Sequence, residues 1–179
     1  PRFKKPVGIH WMQAVSVSAL SRPEAREIWA YRIPSLAGAM LAAAACAWGA
    51  GALFGARAGV LAGAMLGATF LLSTEAFIAK TDAVLAGMTT LALAALARLY
   101  AARNGGPPTS PLTVWAFWAA VAVGVLVKGP ITPMVAGLTM LLLAVWARRA
   151  GWLAGLKWWW GLIALLAVVG PWAGAVTVA

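Results

Sequence analysis

The chain has 179 residues, 63% of them hydrophobic and only 10% charged, with a mean hydropathy of +0.88. A soluble domain carries about a quarter of its residues as charges, so composition excludes an ordinary water-soluble fold and indicates a membrane protein. Fourteen Lys and Arg against four Asp and Glu give a net charge of +10; Cys46 and His10 are the single residues of their kinds, which excludes an internal disulfide and a multi-histidine metal site within these residues.

The first 32 residues hold Arg2, Lys4, Lys5, Arg22, Arg26 and Arg32. The chain starts PRFKK, without an initiator Met or a leader, and ends in the apolar GAVTVA, so it is expected to be an internal piece of a longer protein. Lys4 and Lys5 precede Pro6, which favours an extended backbone before it. Two adjacent ammonium groups on an extended stretch can bind a phosphate or diphosphate; they can equally form a basic loop over anionic headgroups. Ile9 to Leu20 is too short and too polar to span a bilayer, and is expected to lie at the interface as an amphipathic helix. Ser21-Arg22-Pro23-Glu24 matches a capping box, which predicts a second short helix over about 22–31. Residues 1–32 are therefore expected to form a structured loop lying on the membrane.

Residues 33–179 are expected to form a bundle of spanning helices, each needing about 20 mostly apolar residues. Six segments qualify: about 34–55, 59–78, 83–101, 112–128, 130–147 and 158–177. Gly55 to Gly59 makes a minimal turn, NGGPPTSP at 104–111 is a loop by composition, and Lys128-Gly129-Pro130 ends one helix and lets Pro130 start the next. Gly59, Gly63 and Gly67 share one helix face and allow close approach of a neighbour. One set of connections holds Arg57, Arg98, Arg103, Arg148, Arg149 and Lys157 without an acid, which marks it as cytoplasmic. The basic stretch 1–32 then falls on the other side, against the usual bias, and an anionic ligand at the membrane surface accounts for it. Trp115, Trp118, Trp146, Trp152 and Trp158 to Trp160 fall near the expected cytoplasmic ends and fit an aromatic belt.

Ionisable residues near hydrocarbon are costly and are usually paired or functional. Arg32 opens the first span beside Pro34, where a guanidinium can hold a phosphate bidentately or serve as an interfacial anchor. Glu75, Lys80 and Asp82 cluster at one helix connection. Asp82 can be the N-cap of the next span with Lys80 as its local partner, or a carboxylate that orients an acceptor or a sugar hydroxyl. Lys128 ends a span, and snorkelling to the interface explains it cheaply. There is no Walker loop, dinucleotide fingerprint, zinc motif or nucleophile elbow. Several cations and a carboxylate at an outer surface suit a ligand that is both lipid and anion, such as a polyprenyl-phosphate-linked sugar.

Five segments in order resemble a known family. Phe3-Lys4-Lys5-Pro6 with His10-Trp11-Met12 resembles the F-x-K-P…Y-W-L segment of the polyprenyl-phosphate-sugar-dependent glycosyltransferases, which include lipid A aminoarabinose transferases and protein O-mannosyltransferases. Arg32-Ile33-Pro34-Ser35, Lys80-Thr81-Asp82, Lys128-Gly129-Pro130 and Gly170-Pro171-Trp172 are similar to that family's R-L-P-S, K-T-D, K-G-P and L-P-W motifs. The resemblance implies an all-α GT-C bundle with about six transmembrane helices in this piece, two N-terminal juxtamembrane helices and an active site on the periplasmic face of a bacterial inner membrane. It implies that Lys5 contacts the donor phosphate, that Asp82 is a carboxylate important for activity, and that Arg32 and Lys128 are basic positions near the phosphate. Glu75, Lys80 and His10 join Asp82 as candidates on the acceptor and sugar side. The family's general-base Asp is expected upstream of residue 1, so no catalytic residue is assigned and the piece alone is expected to be inactive. Lys4 stands where the aminoarabinose transferases carry a Glu that can ligate a metal. A divalent metal, possible in the family, is therefore not carried over, and no cofactor is assigned. His10 stands where Tyr is common.

The expected function is transfer of a sugar from a polyprenyl-phosphate donor to a periplasmic lipid, glycan or protein. The expected partners are the donor, the bilayer and that acceptor, with no nucleic acid among them. A secondary transporter or flippase would also place charges at membrane depth, but tends to put them mid-helix in inverted repeats; here they sit at helix ends and no repeat is visible. A non-catalytic scaffold with polybasic lipid contacts is a further alternative.

Overall fold

The structure, a computed structural model, describes residues 6–25, 27–106 and 108–178. Among the described residues all regular structure is helical. The order is α1 (Gly8–Leu20), a 3₁₀ turn (Pro23–Ala25), α2 (Ile28–Phe54), α3 (Ala56–Gly67), α4 (Phe70–Ala76), α5 (Asp82–Arg103), α6 (Pro111–Lys128), α7 (Ile131–Ala147), a 3₁₀ stretch (Gly151–Leu156) and α8 (Trp158–Val178). Three helices, α2, α5 and α6, are long and apolar enough to cross a membrane, and α3 with α4 makes a fourth span if the bent pair is taken together. α7 and α8 are shorter apolar helices. Where about six spans are expected, three or four helices qualify by length and composition, and together with the shorter apolar helices they make an all-α bundle.

Three local expectations are corrected. The span expected at 59–78 is broken between Gly67 and Phe70 by a bend of 62°. Thr69, in extended conformation, stands as N-cap of α4, and its hydroxyl donates back to the Leu66 carbonyl at 2.7 Å, taking up an acceptor the break leaves free. The helix expected at 22–31 is only the turn Pro23–Ala25, because α2 starts at Ile28. Ser21 does not cap a helix with Glu24; its hydroxyl donates to Glu27, which also accepts from Trp29 Nε1 at 2.8 Å. Pro34 accordingly sits inside α2 instead of opening it, and Pro130 is the N-cap of α7, one residue before the helix.

Small residues hold the bundle together. Lipid supplies no hydrophobic drive between helices, so close backbone approach and dispersion must do it. α2 and α5 cross at Gly38 and Gly87: a Cβ on Gly87 would lie 2.5 Å from the Gly38 carbonyl oxygen, and one on Gly38 2.5 Å from the Val84 Cα. Gly49 against Ala94 continues this seam, a Cβ on Gly49 lying 2.8 Å from the Ala94 Cα. α3 folds back on α2 through Gly59 and Gly63, whose absent side chains would meet the Ala47 and Ala43 carbonyls at 2.6 and 2.7 Å; Gly67 is looser, at 3.4 Å from Ala43 Cβ.

The largest core lies at the far end, where Leu96, Leu99, Phe117, Trp118, Trp152 and Leu156 are buried together. Trp118 donates to the Leu156 carbonyl at 2.8 Å. Trp118 and Trp152 are thus core residues, which corrects their place in the aromatic belt. Trp115, Trp146, Trp159 and Trp160 are exposed, as a belt requires.

Candidate functional site at the α5 and α6 ends

The residues that the sequence singles out meet at one end of the bundle. α5 begins with Asp82 and α6 ends with Lys128. A carboxylate at a helix start and an ammonium at a helix end are each favoured by the helix dipole, and the two form an ion pair. Gly129 (φ 72, ψ −138) takes a conformation few other residues adopt and stops α6 directly after Lys128. Of the two roles open to Asp82 from sequence, the N-cap falls to Thr81, and the carboxylate pairs with Lys128. Nor is Lys128 simply snorkelling or Lys80 the partner of Asp82; the Lys80 side chain is exposed. Both side chains of the pair remain 43% exposed. Exposed pairs contribute only about 0–1 kcal/mol, so the pair matters for where it puts two charges, not for holding the fold.

Two recesses flank the first turn of α5. On one side lies an apolar groove of about 600 Å³ between α1, α2 and α5, with Trp11, Met12, Val15, Ile33, Pro34 and Val84 in its wall. On the other lies a cavity of about 410 Å³ under the α3–α4 bend, whose wall includes Glu75, Asp82, Thr69 and Leu72. Glu75 Oε2 is buried there without a hydrogen-bond partner. Unpaired buried oxygens of this kind cost about 1–3 kcal/mol or more, so this one invites a donor.

α1 brings the N-terminal segment to this place. Ile9 packs with Val84 of α5 and Val127 of α6, and a Cβ on Gly8 would meet the Leu126 carbonyl at 2.6 Å. The start of α1 therefore packs against the first turn of α5 and the last turn of α6. His10 is exposed on the first turn of α1, and Arg32 is exposed on the second turn of α2. Lys5, with Arg2, Lys4 and Arg26, lies outside the described residues. Among the described residues no three His, Cys, Asp or Glu side chains gather to hold a metal.

One site residue was given no role by sequence reasoning. Ser35 is fully buried on α2, and its hydroxyl donates to the Lys80 carbonyl at 3.0 Å, tying the 77–81 connection down beside Asp82. A hydroxyl directly after a proline in an otherwise apolar span was the available signal. Ser35→Ala is expected to cost about 1 kcal/mol of stability and to loosen this connection, seen as faster amide exchange at Lys80 to Asp82 with α6 unchanged.

The family model described as dolichyl-phosphate-mannose-protein mannosyltransferase matches residues 4–174. Among solved structures, ArnT from Cupriavidus metallidurans in the apo state is similar over 98% of this chain, at 26% identity and a TM-score of 0.84. The chain spans 32% of the length of that protein. No curated protein matches the chain.

Proposed function

The chain belongs to the dolichyl-phosphate-mannose-protein mannosyltransferase family, and from that premise we propose that it is part of a GT-C glycosyltransferase of a bacterial inner membrane, which moves a sugar from a polyprenyl-phosphate donor to a periplasmic acceptor. The observation that carries the reading is the juxtaposition at the start of α5: an ammonium and a carboxylate in contact, between an apolar groove and a carboxylate-lined cavity. A lipid-linked phosphosugar has the matching parts. Its hydrocarbon chain suits the groove, its phosphate suits Lys128 with Lys5 and Arg32 as further cations, and its sugar and the acceptor suit the side of Asp82 and Glu75, with Lys80 and His10 as further candidates there. In the reaction an acceptor hydroxyl or amine attacks the anomeric carbon, the bond from that carbon to the phosphate oxygen breaks, and the polyprenyl phosphate leaves. Cations fixed at the leaving phosphate lower the barrier by stabilising charge that grows in the transition state. The proton of the acceptor passes to a general base that is not assigned among residues 1–179. A lipid A sugar or a protein hydroxyl would each serve as acceptor.

The test is sugar transfer by the full-length protein in vesicles containing a polyprenyl-phosphate sugar. Lys5→Ala is expected to slow transfer by at least about tenfold, the loss of one charge-assisted contact to the phosphate. A wild-type rate for this variant overturns the assignment of Lys5. Movement of the donor across the bilayer with no transferred product would instead identify a flippase.

A further inference from the structure

A second polar recess lies at the opposite end of the bundle. Arg98 is four turns along α5 from Asp82, roughly 24 Å at 1.5 Å per residue, a distance close to the thickness of a bilayer's hydrocarbon core. Its guanidinium lies over the Trp48 ring, 4.9 Å from the centroid, and Nη1 donates to the Trp48 carbonyl at 3.3 Å. Those contacts leave Nε buried and without a partner. The same residue lines a cavity of about 430 Å³ between α2, α5 and the start of α6, together with Trp48, Pro108, Ser110, Leu112 and Thr113. Thr113, only 3% exposed, lines the same cavity. The Ser110 hydroxyl already caps α6 by accepting from the Leu112 amide, and the Thr113 amide bonds the Ser110 carbonyl. The helix start is thus satisfied, and the buried donor left without a partner is the guanidinium Nε of Arg98, with the Thr113 side chain in the same wall.

A fixed positive charge and a hydroxyl donor beside apolar walls match a phosphate that carries acyl chains. Water alone would satisfy the hydroxyl but leave the charge without a counter-ion. The surrounding composition points the same way, since Arg103 follows Arg98 toward the end of α5. We propose that the Arg98–Thr113 recess binds the phosphate of an anionic membrane phospholipid, at the end of the bundle opposite the Asp82–Lys128 site. The recess is independent of the sugar-transfer reading and would stand if that reading failed.

The experiment is native mass spectrometry of the full chain released from detergent micelles and titrated with phosphatidylglycerol. Arg98→Gln is expected to weaken binding of the first lipid by about fivefold or more, the loss of one charge-assisted contact. Thr113→Val, which keeps the shape of the side chain, is expected to weaken it by about two- to fivefold. Arg103→Gln should leave it within about twofold, and diacylglycerol, which lacks the phosphate, should not compete. If Arg98→Gln fails to fold, Thr113→Val and the diacylglycerol arm decide. Binding by both variants at the wild-type level overturns the site, as does an equal loss with Arg103→Gln, which would mean diffuse attraction. Saturable binding of inorganic phosphate that displaces the lipid would assign the recess to a free anion and overturn the lipid.

Discussion

Replacing Lys128 with Met in the full-length protein is expected to lower kcat/KM for sugar transfer by about ten- to hundredfold. A hydrogen bond to a charged group contributes about 1.5–3 kcal/mol, and 1.4 kcal/mol is a factor of ten. The same substitution should hardly move thermal stability, because a half-exposed ion pair contributes about 1 kcal/mol at most. This contrast separates two roles for the residue. If Lys128 only tied α6 to α5, exchanging the charges with Asp82→Lys and Lys128→Asp would keep the pair and restore the rate. If its ammonium faces the leaving phosphate, the exchanged protein places a carboxylate there and stays inactive. Transfer by Lys128→Met within about twofold of wild type would remove Lys128 from the phosphate site.

The second large effect concerns the α2–α5 crossing. Gly87→Leu is expected to destabilise the bundle by about 3 kcal/mol or more, at or beyond the upper end of the usual cost of overpacking. The atoms a side chain would meet are the Gly38 carbonyl oxygen at 2.5 Å and its Cα at 3.2 Å. Backbone cannot rotate aside as a side chain can, so the helices must separate. Since Asp82 and Val84 lie about one turn before Gly87, separation also opens the groove and shifts the carboxylate. Gly51→Ala is the matched control: a Cβ there has nothing within 4 Å, and alanine in a helix is favoured over glycine by up to about 1 kcal/mol. Unfolding followed in a denaturing-detergent titration should show the first variant far below wild type and the second at or above it. Equal midpoints for Gly87→Leu and wild type would contradict the packing described.

The apolar segments were legible because each is a run that lipid selects, and hydropathy reports such runs without reference to tertiary structure. The glycine seam was half legible. Gly59 and Gly63 sit in a regular spacing and show it, whereas Gly38 and Gly87 are isolated in their helices and acquire meaning only when two segments 49 positions apart cross. The bend after Gly67 was missed because the segment stays apolar through it, and hydropathy does not register a change of direction. Thr69, a favoured N-cap residue, was the local signal. The candidate site was legible as a set of charges at helix ends. Their pairing was not, since Lys80 lies two residues from Asp82 and Lys128 lies 46 away, and proximity in sequence favours the wrong partner. Trp118 and Trp152 were misplaced for a related reason: position along a span says how deep an indole sits, and not whether it faces lipid or protein.

The bend between α3 and α4 also fixes a height. A straight helix continued from Gly67 through α4 would carry Glu75 about 10 Å further along the bundle axis, at 1.5 Å per residue. Tilted by 62°, the same seven residues climb only about half of that. The carboxylate is thereby lowered about 5 Å and brought level with the first turn of α5, where Asp82 stands in the wall of the same cavity. The vertical registration of two acids on different helices is thus set by a two-residue interruption, Ala68 and Thr69, held by hydroxyl-to-carbonyl bonds, and any change that straightened the segment would lift one acid toward the headgroups while leaving the other where it is.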